Sequence, residues 1–115
     1  MFAVIFRAVT DKLDGDYEPT AERLRNLALE RFGCREFFAL AEGNQEVAIS
    51  YWDTEEQIKR WKQDADHLLA QQRGCSQWYS DYRVEVVEIK RMYGKSECIG
   101  RIWNASDVSV CRSLR

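Results

Sequence analysis

Glu42-Gly43-Asn44-Gln45-Glu46-Val47-Ala48-Ile49-Ser50-Tyr51-Trp52-Asp53-Thr54-Glu55-Glu56-Gln57 decides the fold of this chain. Gly43-Asn44 is a hairpin signal. Residues 45–52 then alternate, with Val47, Ile49 and Tyr51 on one face and Ala48, Ser50 and Trp52 on the other, the period of a strand. Thr54-Glu55-Glu56-Gln57 is a capping box: the Thr hydroxyl takes the Gln57 N–H while the Gln57 side chain reaches back. One short stretch therefore spells turn, strand and helix start.

Working upstream, residues 34–42 read as the strand that enters the turn. Before it, Tyr17, Ala21, Leu24, Leu27 and Ala28 recur at helical spacing and form one buried stripe. Asp16 or Tyr17 lies near that helix's cap, Pro19 sits in its first turn, and Gly33 ends it. Residues 2–9 (Phe-Ala-Val-Ile-Phe-Arg-Ala-Val) read as a first strand, apolar on both faces. Downstream, Ile58, Trp61, Ala65 and Leu68 mark a second helix that Gly74 closes. Residues 75–81 form a short connection with Trp78 and Tyr79, and residues 82–92 read as the last strand. The order is β-α-β-β-α-β. This is an α+β, ferredoxin-like arrangement with an antiparallel four-stranded sheet and two helices on one face. Residues 1–93 carry the fold. Residues 94–115 lack a sustained period and read as a C-terminal tail, ordered only if it docks.

The 115 residues suit one domain. With 17 Lys+Arg against 19 Asp+Glu, the net charge of -2 excludes nucleic-acid binding through bulk positive charge. No apolar run approaches a membrane span, and the N-terminus lacks the basic start and long apolar core of a signal peptide. The expected location is cytoplasmic. The four cysteines, Cys34, Cys75, Cys98 and Cys111, have no C-x-x-C spacing and read as reduced thiols without chemistry. The single histidine, His67, excludes a multi-His metal centre within one chain.

Two helices cover one face of a sheet only. Yet the first strand is apolar on both faces, and the adjacent Phe37 and Phe38 point to opposite sides. The bare face calls for a second copy packed sheet against sheet, a homodimer.

Tyr51, Trp52, Trp61, His67, Trp78, Tyr79 and Arg83 lie on segments that can converge between sheet and helices. Such a pocket would be aromatic-walled with a few polar groups, a form suited to small molecules. His67 is the natural acid/base candidate because its ordinary pKa is near neutrality. On an unbroken helix it lies about 180° from Ile58 and faces solvent. A break near Asp64 would turn it inward. Trp52 and Trp61 also suit a core. Arg7 either reaches water at the sheet edge or places a positive charge in the pocket.

The segment Ile49-Ser50-Tyr51-Trp52 through Trp61-Lys62 to His67 and Gln71, followed by Trp78-Tyr79 and Tyr82-Arg83-Val84, resembles the antibiotic biosynthesis monooxygenase family over about residues 1–93. The resemblance implies a dimeric α+β barrel. It also implies a cofactor-independent monooxygenase acting on an aromatic or quinol-type molecule with O2. The deprotonated substrate passes an electron to O2, and the radicals recombine in a dry pocket. On this chain it casts His67 as base or hydrogen-bonding partner and Trp52, Trp61 and Trp78 as walls. Tyr51, Tyr79 or Arg83 become donors. A non-catalytic small-molecule-binding or stress-response dimer of the same fold is the alternative. A haem-degrading branch shares Trp61, but it uses an Asn on the first strand where Arg7 stands and a ligating His where Gln71 stands. Haem binding is accordingly the weaker implication.

Overall fold

A computed structural model of the chain describes residues 1–72 and 75–95. Its elements are β1 (Phe2–Thr10), α1 (Tyr17–Arg31), β2 (Glu36–Glu42), β3 (Gln45–Trp52), α2 (Glu55–Ala70), a 3-10 turn (Cys75–Gln77) and β4 (Tyr79–Glu88). The strands pair antiparallel in the order β2-β3-β1-β4. This is the βαββαβ ferredoxin-like arrangement that the sequence order implies. Among the described residues no helix is long and apolar enough to cross a membrane.

The capping box forms as spelled. Thr54 Oγ1 accepts the Gln57 N–H at 3.2 Å, and Gln57 Oε1 accepts the Thr54 and Asp53 N–H groups, each at 3.2 Å. The same glutamine side chain lies over Gly33, just past the end of α1. Gly33 has φ +82°, a left-handed conformation, and a Cβ there would run into the Gln57 amide. The end of α1 and the start of α2 thus lock together through one glycine. Gly33→Ala is expected to cost about 1–3 kcal/mol through strain and the displaced cap. A urea midpoint unchanged from wild type would contradict this coupling.

Register sorts the two sheet faces. Phe2, Val4, Phe6 and Ala8 of β1 share a face with Trp52, Ser50, Ala48 and Glu46 of β3 and with Phe37 of β2. The helices pack on this face. Val4, Ala28, Cys34, Trp52 and Ile58 are buried together, with Phe2, Phe32, Phe37 and Trp61 packed against them. Ile58 and Leu68, both buried on α2, each contribute about 1.5–3 kcal/mol of hydrophobic stabilisation. Ile5, Arg7, Val47, Ile49, Tyr51, Phe38, Leu40, Arg83 and Val87 occupy the opposite face. There Phe38 is 47% and Leu40 63% exposed.

Two boundaries differ from the expectation. β4 begins at Tyr79 rather than 82, because Thr10 pairs with Tyr79 while Val9 pairs with Asp81. The extra residue, Ser80, makes a bulge that lets the ladder start early. β2 begins at Glu36 rather than 34, because the Cys34 N–H turns back to the Ala28 carbonyl at 3.0 Å. α2 ends at Ala70, and the expected stop at Gly74 lies outside the described residues. So do Cys98, Cys111 and all of the 94–115 tail beyond Lys95.

Candidate functional site

The first and last turns around the sheet meet over one end of its helix-bearing face. After β1 the chain is held to the 3-10 turn by two backbone bonds, Asp11 N–H to Trp78 carbonyl at 2.8 Å and Lys12 N–H to Gln77 carbonyl at 2.9 Å. Asp14 Oδ1 accepts the Asp16 N–H at 2.9 Å and shapes the entry to α1. These contacts bring Tyr17, the first residue of α1, against Trp78. The two rings meet edge-on, with centroids 5.2 Å apart and planes at 88°.

The Ser80 bulge then performs a second task. Residues 79 and 82 differ in parity and would face opposite sides of an unbroken strand. With one extra residue between them, both turn to the helix-bearing face. Phe6 of β1 packs against both, 5.4 Å from the Tyr79 ring and 5.9 Å from the Tyr82 ring, which are themselves 6.1 Å apart. Tyr79 also lies 6.0 Å from Tyr17. Tyr82, 62% exposed, stands at the outer side of this wall.

A carboxylate closes the cluster from below. Glu46 of β3 shares the face of Trp52 and pairs with Ala8, so it lies under the start of α1. The Tyr17 hydroxyl donates to Glu46 Oε2, and the Tyr79 hydroxyl donates to the Tyr17 oxygen at 3.3 Å. Burial, reinforced by the bonds to Glu46 and Tyr79, pushes the Tyr17 phenol far above its ordinary range. Burial raises Tyr79 as well. Both side chains are therefore neutral phenols at physiological pH, each with one proton to donate.

The tryptophans differ in one respect. Trp52 Nε1–H donates to Ser50 Oγ at 2.8 Å, and Trp61 Nε1–H donates to the Leu24 carbonyl at 3.0 Å. Trp78 Nε1–H is buried without a partner among the described residues. A buried donor left unpaired costs about 1–3 kcal/mol.

The sequence-derived site residues do not converge as one group. Trp78 and Tyr79 belong to the cluster just described. Trp52 and Trp61 pack on each other, with centroids 5.4 Å apart, in the core at the far end of β1. Phe2, beside Trp52, and Ala8, beside Glu46, are six residues apart along β1, about 20 Å. Tyr51, Arg7 and Arg83 stand on the opposite sheet face, where Arg7 and Arg83 are directly paired across strands. The Arg83 guanidinium meets Glu85 there at 3.4 Å. α2 is unbroken through Asp64, so its face does not reset, and His67 is exposed to solvent. The haem pattern is likewise not assembled, since Arg7 is on the far face and Gln71 caps α2.

Tyr17 and Glu46 are the residues that reading the sequence for chemistry misses. Tyr17 passes as one member of an apolar stripe. Glu46 did carry a signal. It shares strand parity with Ser50 and Trp52, and a carboxylate on the core-facing side of a strand demands a partner. Cys34 and Cys75 have only local roles, donating to the Glu36 and Leu69 carbonyls at 3.2 and 3.3 Å.

No family model matches the chain. YqjZ, an uncharacterised protein of Bacillus subtilis (strain 168), is 34% identical over 91 residues, which cover 78% of this chain and 80% of that protein. Among solved structures, a mutant of SnoaB, a cofactor-independent oxygenase from Streptomyces nogalater, matches with a TM-score of 0.65 at 13% identity. That match covers 82% of this chain and 97% of the other. A candidate antibiotic biosynthesis monooxygenase from Nitrosomonas europaea matches with a TM-score of 0.61 at 14% identity, over 79% of this chain and 100% of its own. These structural likenesses concern the fold.

Proposed function

We propose that this chain, which is related to YqjZ and shares the fold of antibiotic biosynthesis monooxygenases, oxidises an aromatic or quinol-type small molecule with O2, at the cluster of Phe6, Tyr17, Trp78, Tyr79 and Tyr82. The reading needs no metal or organic cofactor. The electron-rich anion of the substrate gives one electron to O2, and the two radicals combine. One oxygen atom stays in the product and the other leaves as water. The observation that carries the proposal is the meeting of the Phe6, Tyr17, Trp78, Tyr79 and Tyr82 rings with the hydrogen-bonded Tyr79, Tyr17 and Glu46 side chains. The wall suits a flat apolar ligand. A hydrogen-bond donor beside such a wall is worth most to a developing oxyanion where water is excluded.

The test is oxygen uptake in an electrode cell with a panel of hydroquinones and naphthols. Consumption above the buffer rate supports turnover. Ligand-induced thermal stabilisation without consumption would instead favour a binding module of the same fold.

The active species in this reading is a homodimer. Phe38, Leu40 and Val87 are exposed on the sheet face that carries no helix, beside Ile5, Val47 and Ile49. A second copy laid sheet against sheet about a two-fold axis covers this patch. A buried charge on each side of the axis is strongly unfavourable. Leu40→Asp is therefore expected to give a monomer by light scattering at micromolar concentration where wild type gives a dimer. A wild-type chain that runs at 13.5 kDa removes the dimer.

A further inference from the structure

The hydrogen bonds among Tyr79, Tyr17 and Glu46 have a direction. An ionised carboxylate only accepts. The single Tyr17 proton is therefore committed to Glu46, and the single Tyr79 proton to the Tyr17 oxygen. What remains free at the Tyr79 end is an oxygen lone pair. The Tyr79 ring that carries this oxygen packs against Phe6 and Tyr82 of the aromatic wall.

We propose that Tyr79, Tyr17 and Glu46 form a one-way proton-accepting chain that selects aromatic ligands bearing a free hydroxyl and receives their proton. The inference rests on the aromatic cluster being the binding site, and it names the ligand class and the base. The ligand O–H bonds to the Tyr79 oxygen. On proton transfer that O–H breaks, the Tyr79 proton passes to Tyr17, and the Tyr17 proton passes to Glu46. Three O–H bonds break and three form. No electron moves, and the products are the ligand's aryloxide anion and a neutral Glu46 carboxylic acid. Tyr79 touches the ligand. Tyr17 and Glu46 are positioning residues that act through it.

The burial of Tyr17 suits this role, because a phenol that does not ionise on its own keeps its single proton in the chain. Glu46→Gln changes the logic rather than the shape. A glutamine amide can donate as well as accept, so the Tyr17 and Tyr79 protons are no longer committed inward.

The test compares two probes of nearly equal shape, 1-naphthol and 1-methoxynaphthalene, in fluorescence titrations of the full chain. A ligand donor on a committed acceptor is worth about 1.4 kcal/mol, or tenfold in affinity. Wild type is expected to favour the naphthol about tenfold. Glu46→Gln and Tyr17→Phe are expected to bring the two affinities within about twofold of each other, with methoxynaphthalene binding retained. A merely structural role would weaken both probes and leave the ratio unchanged, and the ratio is insensitive to the fraction of folded protein. Equal wild-type affinities, or a tenfold preference that survives both substitutions, would overturn the chain. Binding of neither probe would overturn both the chain and the site. A tenfold preference without oxygen uptake would keep the chain and remove the monooxygenase reading.

Discussion

Glu46→Gln is expected to lower oxygen consumption with a quinol substrate by about 10²–10⁴-fold, the usual range for loss of general-base catalysis, because the Tyr79–Tyr17 chain then lacks its terminal proton acceptor. His67→Ala is expected to leave it near the wild-type rate. The contrast follows from placement. Glu46 lies on the helix-bearing sheet face and accepts the Tyr17 hydroxyl, whereas His67 is exposed on an unbroken α2. Because glutamine matches glutamate in size, the fold is not asked to repack. Most of the loss should fall on kcat, since the carboxylate acts in proton removal rather than in holding the apolar ring. The opposite pattern, an inactive His67→Ala beside an active Glu46→Gln, would return the chemistry to the histidine.

Trp52→Ala is expected to destabilise the fold by about 3–5 kcal/mol, against a total of about 5–15 kcal/mol for a domain of ordinary stability. Trp52 is fully buried and packs on Trp61, and its indole N–H is satisfied by Ser50. The substitution opens a cavity between the sheet and both helices and leaves the Ser50 hydroxyl without that partner. Urea denaturation checks it, through a much lower midpoint at an unchanged slope. A loss below about 1 kcal/mol would mean that the site collapses around the alanine, contrary to the close packing of this core. Trp78→Phe makes an instructive comparison. It removes an indole N–H that has no partner among the described residues, so it should cost less than its buried volume suggests.

Much of the fold was legible because it is locally encoded. Gly43-Asn44, the alternation over 45–52 and the Thr54–Gln57 box each act within a few residues, and each appears where the sequence places it. The outward direction of His67 was also legible from helix geometry alone, once nothing broke the helix. The convergence of the site was less so. Trp52, Trp61 and Trp78 are similar as letters, but strand pairing sets Trp52, on which Trp61 packs, about 20 Å along β1 from the region of Glu46. The shared face of Tyr79 and Tyr82 depends on the bulge at Ser80, which arises from pairing with Val9 and Thr10, not from any local signal. Glu46 was readable in principle, through its parity with Trp52. Its partner was not, because Tyr17 belongs to a helix 29 residues earlier and lies within an apolar stripe.

The most direct measurement of the central claim is mass spectrometry of the product formed under heavy-isotope O2 from a naphthalene quinol. A monooxygenase working at the Trp78–Tyr79 wall predicts one labelled oxygen atom in each product molecule, made by wild type and by His67→Ala and lost in Glu46→Gln. Product free of label, or equal labelling with and without the protein, would contradict it.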